Sequence, residues 1–165
     1  MFSIGDTIMY DTWGVCRIVG TEEKDIGGNK ALYFRLEPLF DDHTTLYLPQ
    51  NNPAFLQKVR TVLSADEAET VWQSLPSLTT LPCINERQRR QQYHEIIAQG
   101  DRIELLRLIK TLLQRRQQRR LPVSDETAYQ QAGFLLFREL AFVWHTTPKE
   151  VEQRITKGCT ESVTQ

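Results

Sequence analysis

Pro49-Gln50-Asn51-Asn52-Pro53-Ala54-Phe55-Leu56-Gln57-Lys58-Val59-Arg60-Thr61-Val62-Leu63-Ser64-Ala65-Asp66-Glu67 is where this 165-residue chain changes character. Before it, apolar residues alternate in short runs; after it, they recur at helical spacing. Within it, Asn52 suits a helix cap with Pro53 at the first helical position, predicting a short helix through Phe55 and Leu56 to Lys58. Ser64-Ala65-Asp66-Glu67 is a capping box, and the helix it opens carries Ala68, Val71, Trp72 and Leu75 on one face. The switch from strand period to helix period places a domain boundary at about residue 60 and predicts an α+β chain.

Toward the N-terminus, the strands are short and separated by turn residues. Residues 7–10 follow Gly5-Asp6, and residues 15–19 follow Gly14. Residues 31–37 are set off by Ile26-Gly27-Gly28-Asn29, a hairpin signal because glycine and asparagine accept positive φ. Residues 44–48 follow the turn cluster Asp41-Asp42-His43 and end at Pro49. Ile8, Tyr10, Val15, Ile18, Tyr33, Leu36, Leu46 and Leu48 are the expected buried side. So few strands cannot form a sandwich, so residues 1–60 are expected to curl into a small Tudor/SH3-like β-barrel.

Toward the C-terminus, residues 61–157 read as an all-α helical bundle, with 158–165 a disordered tail. Residues 75–83, with Pro76, Pro82 and Cys83, form a connector. A helix over 86–99 turns Tyr93, Ile96 and Ile97 to one face and stops at Gly100. Asp101 caps the next helix, where Leu105, Leu108, Ile109, Leu112 and Leu113 face the core and Arg107, Lys110, Thr111 and Gln114 the opposite side. Ser124-Asp125-Glu126 opens a helix apolar on several faces, the expected centre of the bundle, in which Gly133 lets a neighbour approach closely. Thr147-Pro148-Lys149-Glu150 starts a last, short helix carrying Val151 and Ile155.

Charge is distributed unevenly. The formal net charge is −1, yet residues 85–120 hold ten arginines and lysines against four carboxylates, while residues 1–85 carry an acidic excess. A basic segment of this kind fits a polyanion, or else a solvated pair of charged helices. No stretch is apolar enough to span a bilayer, and Met1 leads into the first strand without a signal-peptide pattern. The expectation is a cytoplasmic monomer with no membrane association and reduced thiols at Cys16, Cys83 and Cys159. His43 beside Asp41 and Asp42 is ordinary turn chemistry. No HExxH, GxSxG or paired-cysteine motif occurs, so no catalytic residue, metal site or cofactor is expected.

Phe2-x-Ile4-Gly5-Asp6-x-Ile8-x-Tyr10, Gly14-Val15, Tyr33, Leu36, Thr45-Leu46-Tyr47-Leu48-Pro49 and Val59-Arg60 resemble the start of the CarD/CdnL family of bacterial transcription regulators. The resemblance continues through Arg87-Gln88-Arg89-Arg90, Gly100-Asp101, Leu108-Ile109-Lys110, Arg115-Arg116 and Arg138-Glu139-Leu140-Ala141. It implies a Tudor-like domain docking on the RNA polymerase β subunit through Thr45, Leu46, Tyr47 and Leu48, with Lys24 in the loop leaving the second strand. Main-chain pairing at a sheet edge would be the physical mode. It also implies a helical domain touching promoter DNA, with Arg87, Arg89, Arg90, Arg107, Lys110, Arg115, Arg116, Arg119 and Arg120 the candidate cations. These would give non-sequence-specific backbone contacts and influence open-complex stability. Some relatives carry a wedging tryptophan near the start of the first basic helix; Glu86 stands there in this chain, so backbone contact without a wedge is expected. The alternative is a protein–protein adaptor with an SH3-like module and no DNA contact.

Overall fold

Gly27 and Gly28 hold φ of 62° and 83°, the region in which a chain reverses tightly between twisted strands, and they join the two longest strands of the molecule. The computed structural model describes residues 2–41, 43–82 and 84–163, the last three by backbone alone. Its strands are β1 (Thr7–Tyr10), β2 (Gly14–Ile26), β3 (Asn29–Pro38), β4 (Leu46–Pro49) and β5 (Val59–Thr61). They form one antiparallel sheet in the order β4-β3-β2-β1-β5. The helices are α1 (Pro53–Leu56), α2 (Ala65–Ser74), α3 (Glu86–Gln99), α4 (Arg102–Gln118), α5 (Val123–Trp144) and α6 (Pro148–Val163). The architecture is α+β, a Tudor-like sheet followed by helices, and the chain divides into units Met1–Val62 and Leu63–Gln165.

The sheet closes over Ile8, Tyr10, Cys16, Ile18, Phe34, Leu36 and Leu48, with Phe2, Leu46, Leu56 and Val59 against them. Two assignments differ from the sequence reading. Tyr33 and Leu36 lie three residues apart on one strand, so they cannot share a face. Phe34 and Leu36 point inward, and Tyr33 is only half-buried. Cys16 is fully buried opposite Ile8.

Strand lengths also differ. Beyond a register shift between Ile18 and Gly20, β2 and β3 continue pairing to Ile26↔Asn29. Burial there is slight on both faces, so ladder hydrogen bonds hold the strands without an apolar alternation to announce them. β4 begins at Leu46, not at Thr44, because Asp41 accepts from the His43 amide at 3.1 Å and the Thr44 hydroxyl at 2.9 Å and keeps that segment in a turn. Asp42 lies outside the described residues. α1 ends at Leu56, short of Lys58, and β5 pairs with β1 through Ile8↔Thr61, Met9↔Arg60 and Tyr10↔Val59. A boundary at residue 60 therefore falls inside a strand.

The helical unit is built from well-formed caps. Ser64 Oγ accepts from the Glu67 amide at 3.1 Å, and Asn85 Oδ1 from that of Gln88 at 2.9 Å. Asp101 Oδ1 accepts from Ile103 and Glu104 at 3.0 and 3.1 Å, and Gly100 takes the left-handed turn at φ 68° that ends α3. α4 and α5 each pack against three other helices as well as each other. Gly133 makes room for the ring of Phe137 one turn along its own helix, which a Cβ would meet at 2.6 Å.

The expected tail is a correction. α6 runs to Val163, with Cys159 buried and Gly158 so close to Leu75 that a Cβ would approach its Cδ2 to 2.9 Å. Packing at Gly158 and Cys159 outweighs the polar composition that suggested disorder. Residues 164 and 165, and Cys83 in the connector, lie outside the described residues.

Candidate functional site

The cations of residues 85–120 divide into two sets according to what their helices turn them toward. Lys110 belongs to the first. Its side chain is 4% exposed, and Nζ donates to the carbonyls of Leu75 at 2.7 Å and Leu78 at 2.8 Å, with Pro76 at 3.4 Å. These carbonyls lie at and just beyond the 3₁₀ turn (Leu75–Ser77) that follows α2, where the Leu75 carbonyl also accepts the Leu78 amide at 3.3 Å. A single ammonium, with three donors, satisfies them. The expectation that Lys110 faces DNA is thereby corrected.

Arg89 is held similarly. Nε meets Asp125 Oδ1 at 3.1 Å and Nη1 donates to the Ile84 carbonyl at 3.2 Å, joining α3 to the first turn of α5. Arg115 donates to the Tyr93 hydroxyl and, at 3.2 Å, to the Pro82 carbonyl. Burial raises the Tyr93 pKa, opposed by the Arg115 charge. Arg107 donates to the Thr79 carbonyl at 2.8 Å and lies 3.7 Å from Glu104. Arg89, Arg107, Arg115 and Lys110 thus organise the connector and the helix contacts.

One such pair escaped the sequence reading. Arg102 donates through Nε to Glu139 Oε1 and through Nη2 to Oε2, both at 2.9 Å, and Glu139 is 1% exposed. Glu139 Oε2 also accepts the Leu63 amide at 3.0 Å. The hydrogen bond to Glu139 is the largest cause of a raised Arg102 pKa. A glutamate inside the most apolar helix was the available signal, because a buried carboxylate requires a partner.

The second set points to solvent. Arg87, Arg90, Arg116, Arg119 and Arg120 are exposed. Arg90 is paired with Glu86 at 2.6 Å, and Arg116 with Glu126 at 3.0 Å while its guanidinium lies 4.3 Å from the Tyr129 ring. Among the described residues, no side-chain partner is seen for Arg87, Arg119 or Arg120. His94 is exposed on α3, His43 sits in its turn, and His145 ends α5 at φ 55°. No group of His, Cys, Asp and Glu that could hold a metal occurs among the described residues, and none of their helices is long and apolar enough to cross a membrane.

In the sheet unit, the residues expected to dock are divided by strand parity. β4 is an edge strand, paired on one side with β3 through Leu36↔Leu46, Arg35↔Tyr47 and Phe34↔Leu48. Leu48 is fully buried and Leu46, half-buried, packs on the core, so these two turn inward and offer an outside partner chiefly their main chain. Tyr47 faces outward, with Lys24 Nζ 3.3 Å from its ring centroid. Lys24 lies within β2 and not in a loop beyond it, and reaches Tyr47 across β3. Thr45 is exposed, just before the strand. The neighbouring cavity of about 340 Å³ is lined by Arg17, Phe40, His43, Thr44 and Thr45, among others.

Two family models match this chain. Residues 2–60 match the CarD-like/TRCF RID domain, and residues 70–156 match the CarD C-terminal domain. The first spans all five strands but for the end of β5, and the second runs from α2 into α6, so the order of sheet and helices is also the order of the two matches. With the second match alone covering more than half of its residues, the chain belongs to the CarD family, non-enzymatic transcription factors that interact with RNA polymerase.

Proposed function

We propose that this protein docks on the RNA polymerase β subunit through the edge of β4 and the Lys24–Tyr47 stack, and touches the promoter DNA backbone with Arg87, Arg90, Arg116, Arg119 and Arg120. The observation that carries the DNA half is the division of the cations. With Arg89, Arg107, Lys110 and Arg115 committed to protein acceptors, the remaining arginines still stand in solvent, three without a side-chain partner among the described residues. Guanidinium groups suit phosphates and confer affinity and register without reading sequence. Promoter choice is then left to polymerase, and the regulator acts on the lifetime of the open complex.

A pull-down with purified β subunit tests the docking half. Wild-type protein is retained, whereas a Lys24→Glu, Tyr47→Asp variant, with the stack replaced by two acids, is lost. Retention of that variant would reject this surface, and failure of the wild type to bind would reject β-subunit docking. Salt titration of promoter binding tests the other half: about four phosphate contacts give a slope of log K against log salt of about −3.6. A flat titration would favour a protein–protein adaptor.

A further inference from the structure

Val123 is 84% exposed, the highest value among the large apolar residues left in solvent. It is the first residue of α5, and its surroundings hold it firmly. Leu121, two residues earlier, is buried. Asp125, two residues later, is tied to Arg89, and the Glu126 amide donates to the Pro122 carbonyl at 3.0 Å. Pro122 has its φ fixed by its ring. An isopropyl group therefore projects from a stiff apex, and Arg119 and Arg120, both exposed, immediately precede that apex in the chain. Stiffness lowers the entropic cost of using it as a contact.

We infer that Val123 is the point at which this surface leaves the phosphates and makes an apolar contact in a groove of duplex DNA. The flanking charges select the partner: Asp125 is paired with Arg89 and Glu126 with Arg116, which leaves Arg119 and Arg120 to favour a polyanion, and a duplex also offers apolar surface at the thymine methyl and the sugar edges. This inference rests on the DNA reading above and deepens it. It assigns one residue whose contribution to binding is insensitive to salt, beside neighbours whose contribution is not.

The test is an anisotropy titration of full-length Val123→Ala, Val123→Thr and Arg119→Gln, Arg120→Gln proteins against a labelled promoter duplex at several salt concentrations. It is run with and without polymerase, and the thermal stability of each protein is measured alongside. Removing two methyl groups that the contact would cover predicts about tenfold weaker binding for Val123→Ala. Val123→Thr, of the same shape, weakens it in the same direction. Both keep the wild-type salt slope, whereas the double arginine variant loses about 1.8 from it. Wild-type affinity in both Val123 variants, with the arginine variant weakened, overturns the groove contact and leaves the backbone reading standing. Loss only in the presence of polymerase assigns the valine to a protein surface and also overturns it, as does a fall in affinity matched by a fall in melting temperature. If the arginine variant too is unchanged, the DNA reading fails with it.

Discussion

Lys110 and Arg120 lie ten residues apart in the same basic stretch, and the fold uses them in opposite ways. Lys110 is enclosed by the carbonyls of Leu75, Pro76 and Leu78; Arg120 stands in solvent beyond the end of α4. The inner cation meets partial charges in a medium that screens them little, so its interactions bear on stability. The outer one is screened within about 10 Å in ordinary salt and bears on whatever polyanion arrives. Net charge counts the two equally. It therefore overstates the surface available to DNA, by four of the nine candidate cations.

The contrast is most severely tested at Glu139. Glu139→Ala leaves Arg102 without its bidentate partner and the Leu63 amide without an acceptor, and is expected to cost about 4 kcal/mol in urea unfolding. A loss under 1 kcal/mol would deny the inner set its structural role. Lys110→Met keeps the aliphatic stem and strips the donors from three carbonyls; about 3 kcal/mol is expected by the same measurement, with the slope of DNA binding against salt unchanged. The outer set gives the reverse pattern. Arg119→Gln with Arg120→Gln is expected to change stability by less than about 0.5 kcal/mol while removing about 1.8 from the salt slope. The smallest effect sharpens the boundary: Glu126→Gln releases Arg116 and is expected to tighten DNA binding a few-fold, read by the same titration at low salt. Weaker binding by that variant would mean that the pair with Glu126 positions Arg116 instead of occupying it.

Local chemistry carried most of what could be read in advance. The caps at Ser64, Asn85 and Asp101 and the stop at Gly100 each depend on residues within a few positions, so their signals survive folding intact. Strand parity was equally available, since Tyr33 and Leu36 cannot face the same way. The fate of Lys110 was harder to see. Its acceptors come from a connector more than thirty residues earlier, and α4 buries Leu106 and Thr111 beyond its leucine stripe, so no periodicity marked that side as inner. Only two weak clues existed, the proline-interrupted carbonyls needing a donor and Glu139 needing a cation. The exposed arginines were legible as charge; which of them remained free was a property of the bundle.

The hydrogen bond from the Leu63 amide to Glu139 bears on how the helical half can be studied alone. Ser64 caps α2, which makes it an inviting first residue for a shortened polypeptide. A chain begun there keeps the cap but lacks the amide, and places a new ammonium beside it. The buried Glu139 would then lose one of its three donors, and the fragment would melt early for reasons unrelated to DNA. Beginning at Val62 or before retains the peptide group of Leu63, and with it this donor to the buried Glu139.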